Sequence, residues 1–282
     1  MCAKTRRFWV RVLRASASSL ILWPGISPVV AATYSFTNSA LVRINNSTNS
    51  LTKSPPYPSA NLVSGLAGQV VTKATLTLQG FSHSFPSDAS ILVVGPQGQS
   101  AVVMSETGGQ VKHSVSNLTL VLDDDATDSL PVLATLFSGT FKPTDGYLAL
   151  GYPNLPYDFP APAPVGNSNS PASLSVFKNT DPTGVWNLFV LCDSAGTDTG
   201  SLANGWSLNL SVSVPLTVTL SQPNAILSWP ASATNCHLQS LSGPLGVAGW
   251  SNVLTAPFQS SGVLYVTNPI SGGAAFFRLV GN

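Results

Sequence analysis

The chain has 282 residues, of which 8% are charged, and it contains 23 glycines and 22 prolines. This composition is typical of strands and turns, and the length allows one large β domain or two smaller ones. The formal net charge of +1 conceals an uneven distribution, because five of the twelve basic residues lie in the first fourteen positions and all eleven acids follow residue 80. Seven basic and eleven acidic residues remain beyond residue 14, a net charge of −4, so we expect no nucleic-acid surface.

The N-terminal segment is organised like a secretory signal peptide. Basic residues extend to Arg14, an apolar stretch that includes residues 20–23 follows, and small residues precede Ala32. We therefore predict a signal peptide over residues 1–32, cleaved near Ala32/Thr33, and a secreted or cell-surface protein. Prolines interrupt the apolar stretch, which is too short to span a membrane, so we expect no membrane span after cleavage. Residues 5–8 resemble a twin-arginine signal only loosely, and an ordinary secretory signal is favoured.

Two cysteines, Cys192 and Cys236, remain after cleavage. They fall in different predicted domains, which favours two isolated buried thiols over a disulfide. Together with the three histidines of the chain they do not have the spacing of a closed zinc site.

Strand patterns separated by turns follow the signal segment. A short strand and a polar loop occupy residues 34–51, and the proline-rich residues 54–58 predict an extended connector. Further strands are predicted at residues 70–78, 91–94, 101–104 and 118–122. Residues 151–171 are rich in Pro, Asn and Ser, and we interpret them as a surface loop because strands continue beyond them.

The clearest pattern lies in residues 181–214. Apolar side chains alternate with Ser and Asn from Trp206 to Val214, which predicts a strand with one face on a core and the other in water. Residues 185–192 are apolar on both faces apart from Asn187, and we expect this strand to lie deeper in the sheet. The residues between the two strands, 193–200, are polar and predict a tight loop.

The order of residues in this stretch carries a family resemblance. The matching positions are Gly184, Trp186, Leu188, Val190, Asp193, Gly196, Asp198, Gly200, Leu202, Gly205, Trp206 and Leu208. Further landmarks are His83, Phe85, Pro86 and Asp88, and the runs 122–131 and 138–143. Together they resemble the P domain (P/Homo B) of proprotein convertases. The resemblance implies an all-β protein with a jelly-roll (galactose-binding-like) β-sandwich over residues 33–214. It also implies a link to subtilisin-like serine endopeptidases.

A second unit is predicted at residues 215–282, after Pro215. Short strands recur at intervals of 10–15 residues with turn residues between them, which suggests a small β-sandwich module. Residues 227–230 and 276–279 resemble a fibronectin-type-III-like module of bacterial secreted proteins. At this size the unit is marginally stable on its own.

No catalytic constellation emerges from the sequence. The three histidines, His83, His113 and His237, are not accompanied by a Gly-x-Ser-x-Gly motif, and Glu106 is the single glutamate. Paired acids for glycoside hydrolysis would require a second positioned carboxylate. We therefore expect a chain that is not an enzyme, in which His83 is a polar loop residue and Trp186 and Trp206 pack in the core.

Calcium is the cofactor that the acid distribution favours, because calcium takes several carboxylate and carbonyl oxygens from converging loops. One acid-rich loop holds Asp123, Asp124, Asp125 and Asp128, and another holds Asp193 and Asp198. The resemblance implies that such loops can bind calcium, although Ser87 and Ser90 replace acids that are common in the family. The alternative is that these aspartates cap turns.

These expectations lead to a non-catalytic exported module for interaction or adhesion, which binds a protein or a glycan outside the cell. One alternative, implied by the resemblance, is an accessory domain for a serine endopeptidase on another chain. Another is a carbohydrate-binding module that uses the aromatic side chains of the loop region, namely Tyr147, Tyr152, Tyr157 and Phe159, although the same side chains could equally anchor that loop to the sandwich.

Overall fold

The computed structural model describes residues 10–12, 31–44, 52–152, 158–193, 198–242, 249–269 and 275–281. The chain separates into two compact units. The first comprises residues 33–64 and 71–211, and the second comprises residues 1–32, 65–70 and 212–282. Most of the predicted signal peptide lies outside the described residues, and its cleavage and the predicted domain limits stay predictions.

The secondary structure is almost entirely β, which confirms the predicted fold class. The strands are β1 Val10–Val12, β2 Ala31–Asn38, β3 Val42–Ile44, β4 Thr52–Lys53, β5 Ser59–Val63, β6 Val70–His83, β7 Ala89–Val94, β8 Ser100–Ser105, β9 Val115–Leu122, β10 Gly139–Phe141, β11 Thr144–Asp145, β12 Gly184–Cys192, β13 Gly200–Leu202, β14 Trp206–Ser213, β15 Thr217–Ser221, β16 Asn224–Pro230, β17 Cys236–Ser242, β18 Ser251–Asn252, β19 Phe258–Ser260, β20 Val263–Pro269 and β21 Ala275–Gly281. One α-helical turn, α1, covers Gly146–Ala149, and 3-10 turns cover Pro86–Asp88, Asn167–Asn169 and Leu174–Phe177. Among the described residues no helix is long and apolar enough to cross a membrane.

Two sheets form the sandwich of the first unit. In one sheet the order is β10-β9-β6-β13-β3, and β14 pairs with both β6 and β2. In the other sheet the order is β11-β8-β7-β12-β4, and β5 also pairs with β12. The long strand β6 alternates as predicted from Ala74 to Leu78, with the apolar side chains buried. It continues to His83 through a bulge at Gly80, where the backbone φ of +69° suits glycine.

The two strands of residues 181–214 lie in different sheets. β12 is central in one sheet and is buried from Leu188 to Cys192, as expected, whereas β14 belongs to the other sheet. The polar face of β14 departs from the prediction, because Ser207 and Ser213 are buried. Ser207 Oγ accepts a hydrogen bond from Gln79 Nε2 at 3.1 Å, which compensates its burial.

Both tryptophans of this stretch pack in the core, as predicted. Trp186 is fully buried, and its Nε1 donates to the carbonyl oxygen of Pro182 at 2.9 Å. Trp206 is also fully buried and donates to Ser59 Oγ at 3.0 Å. Each indole N–H therefore has a partner, so burial of these large side chains costs no unsatisfied donor.

The second unit is a smaller sandwich of two four-stranded sheets. Their orders are β15-β16-β20-β19 and β1-β21-β17-β18. The core between them includes Leu227, Trp229, Phe277 and Leu279. Residues 65–70 belong to this unit, and Ser232 Oγ donates to the carbonyl oxygen of Ala67 at 2.8 Å.

The two described cysteines are not joined by a disulfide. Cys192 is buried at the end of β12, as predicted, whereas Cys236 at the start of β17 is only half-buried. Burial raises the pKa of the Cys236 thiol, which favours its protonated form.

Candidate functional site

Loops of the first unit gather at the end of the sandwich where β6 finishes. His83 is the last residue of β6 and is only 2% exposed. The prediction of a polar loop residue was therefore wrong, because His83 is a buried strand residue. Its ring stacks on Phe81, and its Nδ1 lies 2.7 Å from the carbonyl oxygen of Phe85. Burial lowers the pKa of His83, and the neutral imidazole is favoured. A histidine this enclosed is poorly placed to meet a substrate as a general base.

An ion pair ties two of these loops together. Lys112 Nζ pairs with Asp198, whose Oδ1 also accepts a hydrogen bond from Ser84 Oγ at 2.7 Å. The Thr199 N–H donates to Ser84 Oγ at 3.0 Å, so the turn after β6 is fixed to the segment that enters β13. Burial acts to raise the pKa of Asp198, but the hydrogen bonds from Lys112 and Ser84 lower it below its usual value. Asp198 is thus held as a structural carboxylate.

The helical turn α1 is attached to the same end of the sandwich. Asp145 caps it by accepting from the Tyr147 N–H at 3.0 Å, and Ser105 Oγ donates to Asp145 at 2.7 Å. A Cβ on Gly146 would lie 2.3 Å from the carbonyl oxygen of Glu106, so only glycine permits this close approach. Tyr147 is half-buried, and burial together with the nearby charge of Glu106 raises the pKa of its hydroxyl.

The described aromatic residues among those proposed for carbohydrate binding, Tyr147, Tyr152 and Phe159, do not form an exposed platform. Phe159 is only 2% exposed and packs with Leu92 and Phe189, so it anchors its loop to the sandwich. Tyr147 is half-buried, Tyr152 is exposed at an angle of 70° to the Tyr147 ring, and Tyr157 lies outside the described residues. Of the four, Tyr152 alone is shown to be available to solvent.

The acids predicted to bind calcium lie at two separate places. Lys73 Nζ contacts Asp123 Oδ1 at 2.8 Å and Asp125 Oδ2 at 2.7 Å. Asp124 points elsewhere and accepts from Ser173 Oγ at 2.8 Å and from the Leu174 N–H at 2.9 Å. A shallow cleft of about 110 Å³ lies beside them. Asp128 contributes its backbone carbonyl, which accepts from the Lys142 N–H.

Asp193 and Asp198 lie at the opposite end of the sandwich. The register of β6 with β9 places Leu122 opposite Leu76 and Val115 opposite His83. The seven residue steps from Leu76 to His83 span roughly 23 Å at about 3.3 Å per residue, so the two acid-rich regions are more than about 20 Å apart along β6. Ser90 Oγ donates to Asp193 at 3.4 Å. Within the described ranges no group of three His, Cys, Asp or Glu side chains is arranged to hold a metal. Calcium binding stays a prediction.

Three exposed apolar residues lie on neighbouring loops of the first unit and were not predicted from the sequence. We call Val111, Leu133 and Phe137 the loop patch; their side chains are 67%, 72% and 59% exposed. Val111 and Leu133 lie on two loops that are joined by hydrogen bonds from the Gly108 and Gly109 N–H groups to backbone carbonyls at positions 131 and 132. Phe137 packs edge-on against Phe141 at 5.3 Å. The sequence feature that could have indicated these residues is the occurrence of single apolar residues within otherwise polar loops.

The chain was compared with known proteins. No protein-family model matches it, and no curated protein matches it. One similar solved structure is the complex of the serine protease of Aeromonas sobria with the chaperone ORF2. The match has 15% identity and a TM-score of 0.30, and it covers 68% of this chain and 28% of that one. The chain thus spans less than a third of the length of that protein, and a likeness this low carries no argument about function.

Proposed function

We propose that the chain is an exported, non-catalytic binding protein whose first unit docks a partner protein through the loop patch. The loop patch is the observation that carries this proposal. Val111, Leu133 and Phe137 are each more than half exposed, and the loops that hold them are fixed to each other by backbone hydrogen bonds. Exposed apolar side chains on neighbouring ordered loops are typical of protein interaction sites, whereas single ones scattered over a surface need no explanation.

The surroundings of the patch favour binding over catalysis. His83 is enclosed and Asp198 is engaged by Lys112 and Ser84, so these two titratable groups hold the loops together. A preformed, fixed surface loses less conformational entropy when a partner binds. The Lys112–Asp198 ion pair, which connects two of these loops, therefore helps to hold the proposed docking surface in one conformation.

A protein partner is favoured over a glycan. Glycan binding usually uses several exposed aromatic faces, yet Phe159 is in the core and Tyr147 is half-buried, which leaves Tyr152 as the exposed aromatic among the described candidates. The partner class to be tested first is an exported serine endopeptidase, because the P-domain resemblance implies such a link.

The test uses binding of the labelled, purified chain to the surface of cells of its source organism. We expect binding that is lost when the cells are first treated with protease, and lost in the Val111→Asp/Leu133→Asp variant. The matched control is Leu62→Asp/Val185→Asp, which changes a second pair of exposed apolar residues that face each other on β5 and β12. This control should bind like the unchanged chain.

Three results would contradict the proposal. Equal loss of binding in both variants would show that the loop patch has no specific role, and binding that survives protease treatment but not glycosidase treatment would favour a glycan. Labelling of the purified chain by an active-site serine probe would show an enzyme. Co-purification of an exported protease with the unchanged chain, but not with the Val111→Asp/Leu133→Asp variant, would identify the partner class.

A further inference from the structure

The strand order of the second unit has a simple interpretation. One sheet has the order β15-β16-β20-β19 and the other contains β21, β17 and β18 in that order. In an immunoglobulin-type sandwich the first sheet is A-B-E-D and the second is G-F-C, with an added C′ strand in some types. Taken in chain order, β15 to β21 occupy positions A, B, C, C′, D, E and F. The neighbour of F in such a fold is strand G.

The G position is filled from a distant part of the chain. β1 runs antiparallel to β21, with Val10 opposite Phe277, Arg11 opposite Phe276 and Val12 opposite Ala275. β17 covers the other edge of β21 along its whole length. The strand beside F is therefore donated by residues that lie more than 260 positions earlier in the sequence.

Those residues belong to the predicted signal peptide. Cleavage near Ala32/Thr33 would take β1 away from β21, and among the described residues no other strand pairs with that outer edge. A sheet edge of this kind offers backbone N–H and C=O groups to another extended chain. Completion of a sandwich by a strand from another polypeptide is an established mode of peptide recognition.

We propose that the outer edge of β21 at residues 275–277 is an acceptor site for a donated β-strand. The leader holds this site in the precursor, and an extended segment of a partner protein holds it after export. This site is separate from the loop patch, and the proposal does not depend on the function assigned to the first unit.

The register defines the chemistry of the donor. Directly opposed residues in an antiparallel pair share a face of the sheet. Phe277 lies in the core of the second unit and Ala275 packs against it. A donor strand therefore needs apolar side chains at the two positions opposite Ala275 and Phe277, separated by one residue. The sequence of β1, Val-Arg-Val, has this apolar-x-apolar pattern.

A second copy of the chain is a poorer occupant. Full-length antiparallel pairing of two β21 strands about a two-fold axis places Arg278 opposite Arg278 of the other copy. Like charges directly opposite each other are destabilising in a sheet. Arg278 is also engaged within its own unit, because its guanidinium donates to Gln239 Oε1 and stacks over Trp250 at 4.3 Å. A segment of a different protein avoids this repulsion.

The experiment uses the full chain and a fluorescein-labelled peptide of residues 7–14. In the Val10→Asp/Val12→Asp variant the built-in strand is displaced, and we expect the peptide to bind at least about tenfold more tightly than to the unchanged chain, where the tethered strand competes at high effective concentration. The same peptide carrying the two Asp substitutions should not bind. A Leu20→Asp/Leu22→Asp variant, changed elsewhere in the leader, serves as the matched control and should behave like the unchanged chain.

Hydrogen exchange locates the peptide. Amides of β21 should exchange faster in the Val10→Asp/Val12→Asp variant and should be protected again when the peptide is added, while β16 and β20 stay protected throughout. The proposal is overturned if the variant does not bind the peptide or if all chains bind it equally. Loss of protection in β16 and β20 would overturn it too, since β1 would then be an indispensable strand. Dimerisation with protected β21 would assign the site to a second copy.

Discussion

The close packing of β13 against β6 at Gly200 can be tested quantitatively by adding a side chain there. Gly200 lies opposite both His83 and Ile44, in the middle of three paired strands. A Cβ at this position would lie 2.1 Å from the carbonyl oxygen of Ser82 and 2.4 Å from Cδ2 of His83. The imidazole can shift, but the carbonyl belongs to the backbone of β6, so the Gly200→Ala variant must separate the two strands.

Overpacking of this kind costs typically 1–3 kcal/mol, and because the clash is with backbone we expect about 3 kcal/mol for Gly200→Ala. For a domain of this size each kcal/mol lowers the Tm by about 2–4 °C, which gives a decrease of roughly 6–12 °C. The matched control is Gly249→Ala, where a Cβ meets no atom within 4 Å and the change should stay within about 0.5 kcal/mol.

The assay is thermal unfolding followed by tryptophan fluorescence, since Trp186 and Trp206 are both in the core of the first unit. Because Trp229 and Trp250 lie in the second unit, the measurement is made in a Trp229→Phe/Trp250→Phe background, so that the fluorescence change reports mainly on the first unit. A Tm for Gly200→Ala within 2 °C of that of the unchanged chain would refute the close strand approach, and with it the enclosed position of His83.

Further predictions concern charge and maturation. Burial lowers the pKa of His83, so the unfolded chain binds a proton at this imidazole more readily than the folded chain does. The free energy of unfolding should therefore decrease as the pH falls from the usual histidine pKa of about 6.5 through the lower pKa of the folded chain. Urea titrations should show that His83→Gln removes this contribution to the pH dependence. Asp124→Ala should cost about 1–2 kcal/mol in urea unfolding, because the Leu174 N–H and the Ser173 hydroxyl lose their acceptor, whereas Asp125→Ala, which removes an exposed carboxylate, should leave the unfolding midpoint unchanged. The predicted calcium site at Asp123, Asp124 and Asp125 implies that calcium added to a chelator-treated sample raises the Tm and that Asp124→Ala abolishes the rise; an unchanged Tm would show that these acids serve only the protein donors that engage them. Mass spectrometry of the exported chain should find Thr33 at its N-terminus, and an intact residue 10 would contradict the predicted leader.

Local patterns were sufficient for several features. The alternation along β6 and β14 reflects one buried and one less buried face of a strand, a property that each strand carries in its own residues. The burial of Trp186 and Trp206 followed from their positions on apolar faces. The all-β class followed from the spacing of such strands and of turn residues.

Other features depend on residues that are distant in the sequence. Whether an aspartate binds a cation or caps a loop is decided by its neighbours, and Lys73 and Ser173, which engage the acids at 123–125, come from segments that no local pattern links to them. Phe159 was a candidate for an exposed aromatic because it lies with Tyr147, Tyr152 and Tyr157 in the loop region, yet it packs with Leu92 and Phe189. Loops do not reveal their packing partners through periodicity.

The pairing of strands into sheets shows most clearly the difference between what local patterns predict and what depends on distant residues. Hydrophobic alternation predicts that a segment is a strand, but strand pairing is made by backbone groups that are the same in almost every residue. The sequence therefore indicated strands at residues 185–192 and 206–214 without showing that they lie in different sheets. It likewise gave no sign that Val10–Val12 would lie beside β21, because an edge strand is recognised only when its neighbour in space is known.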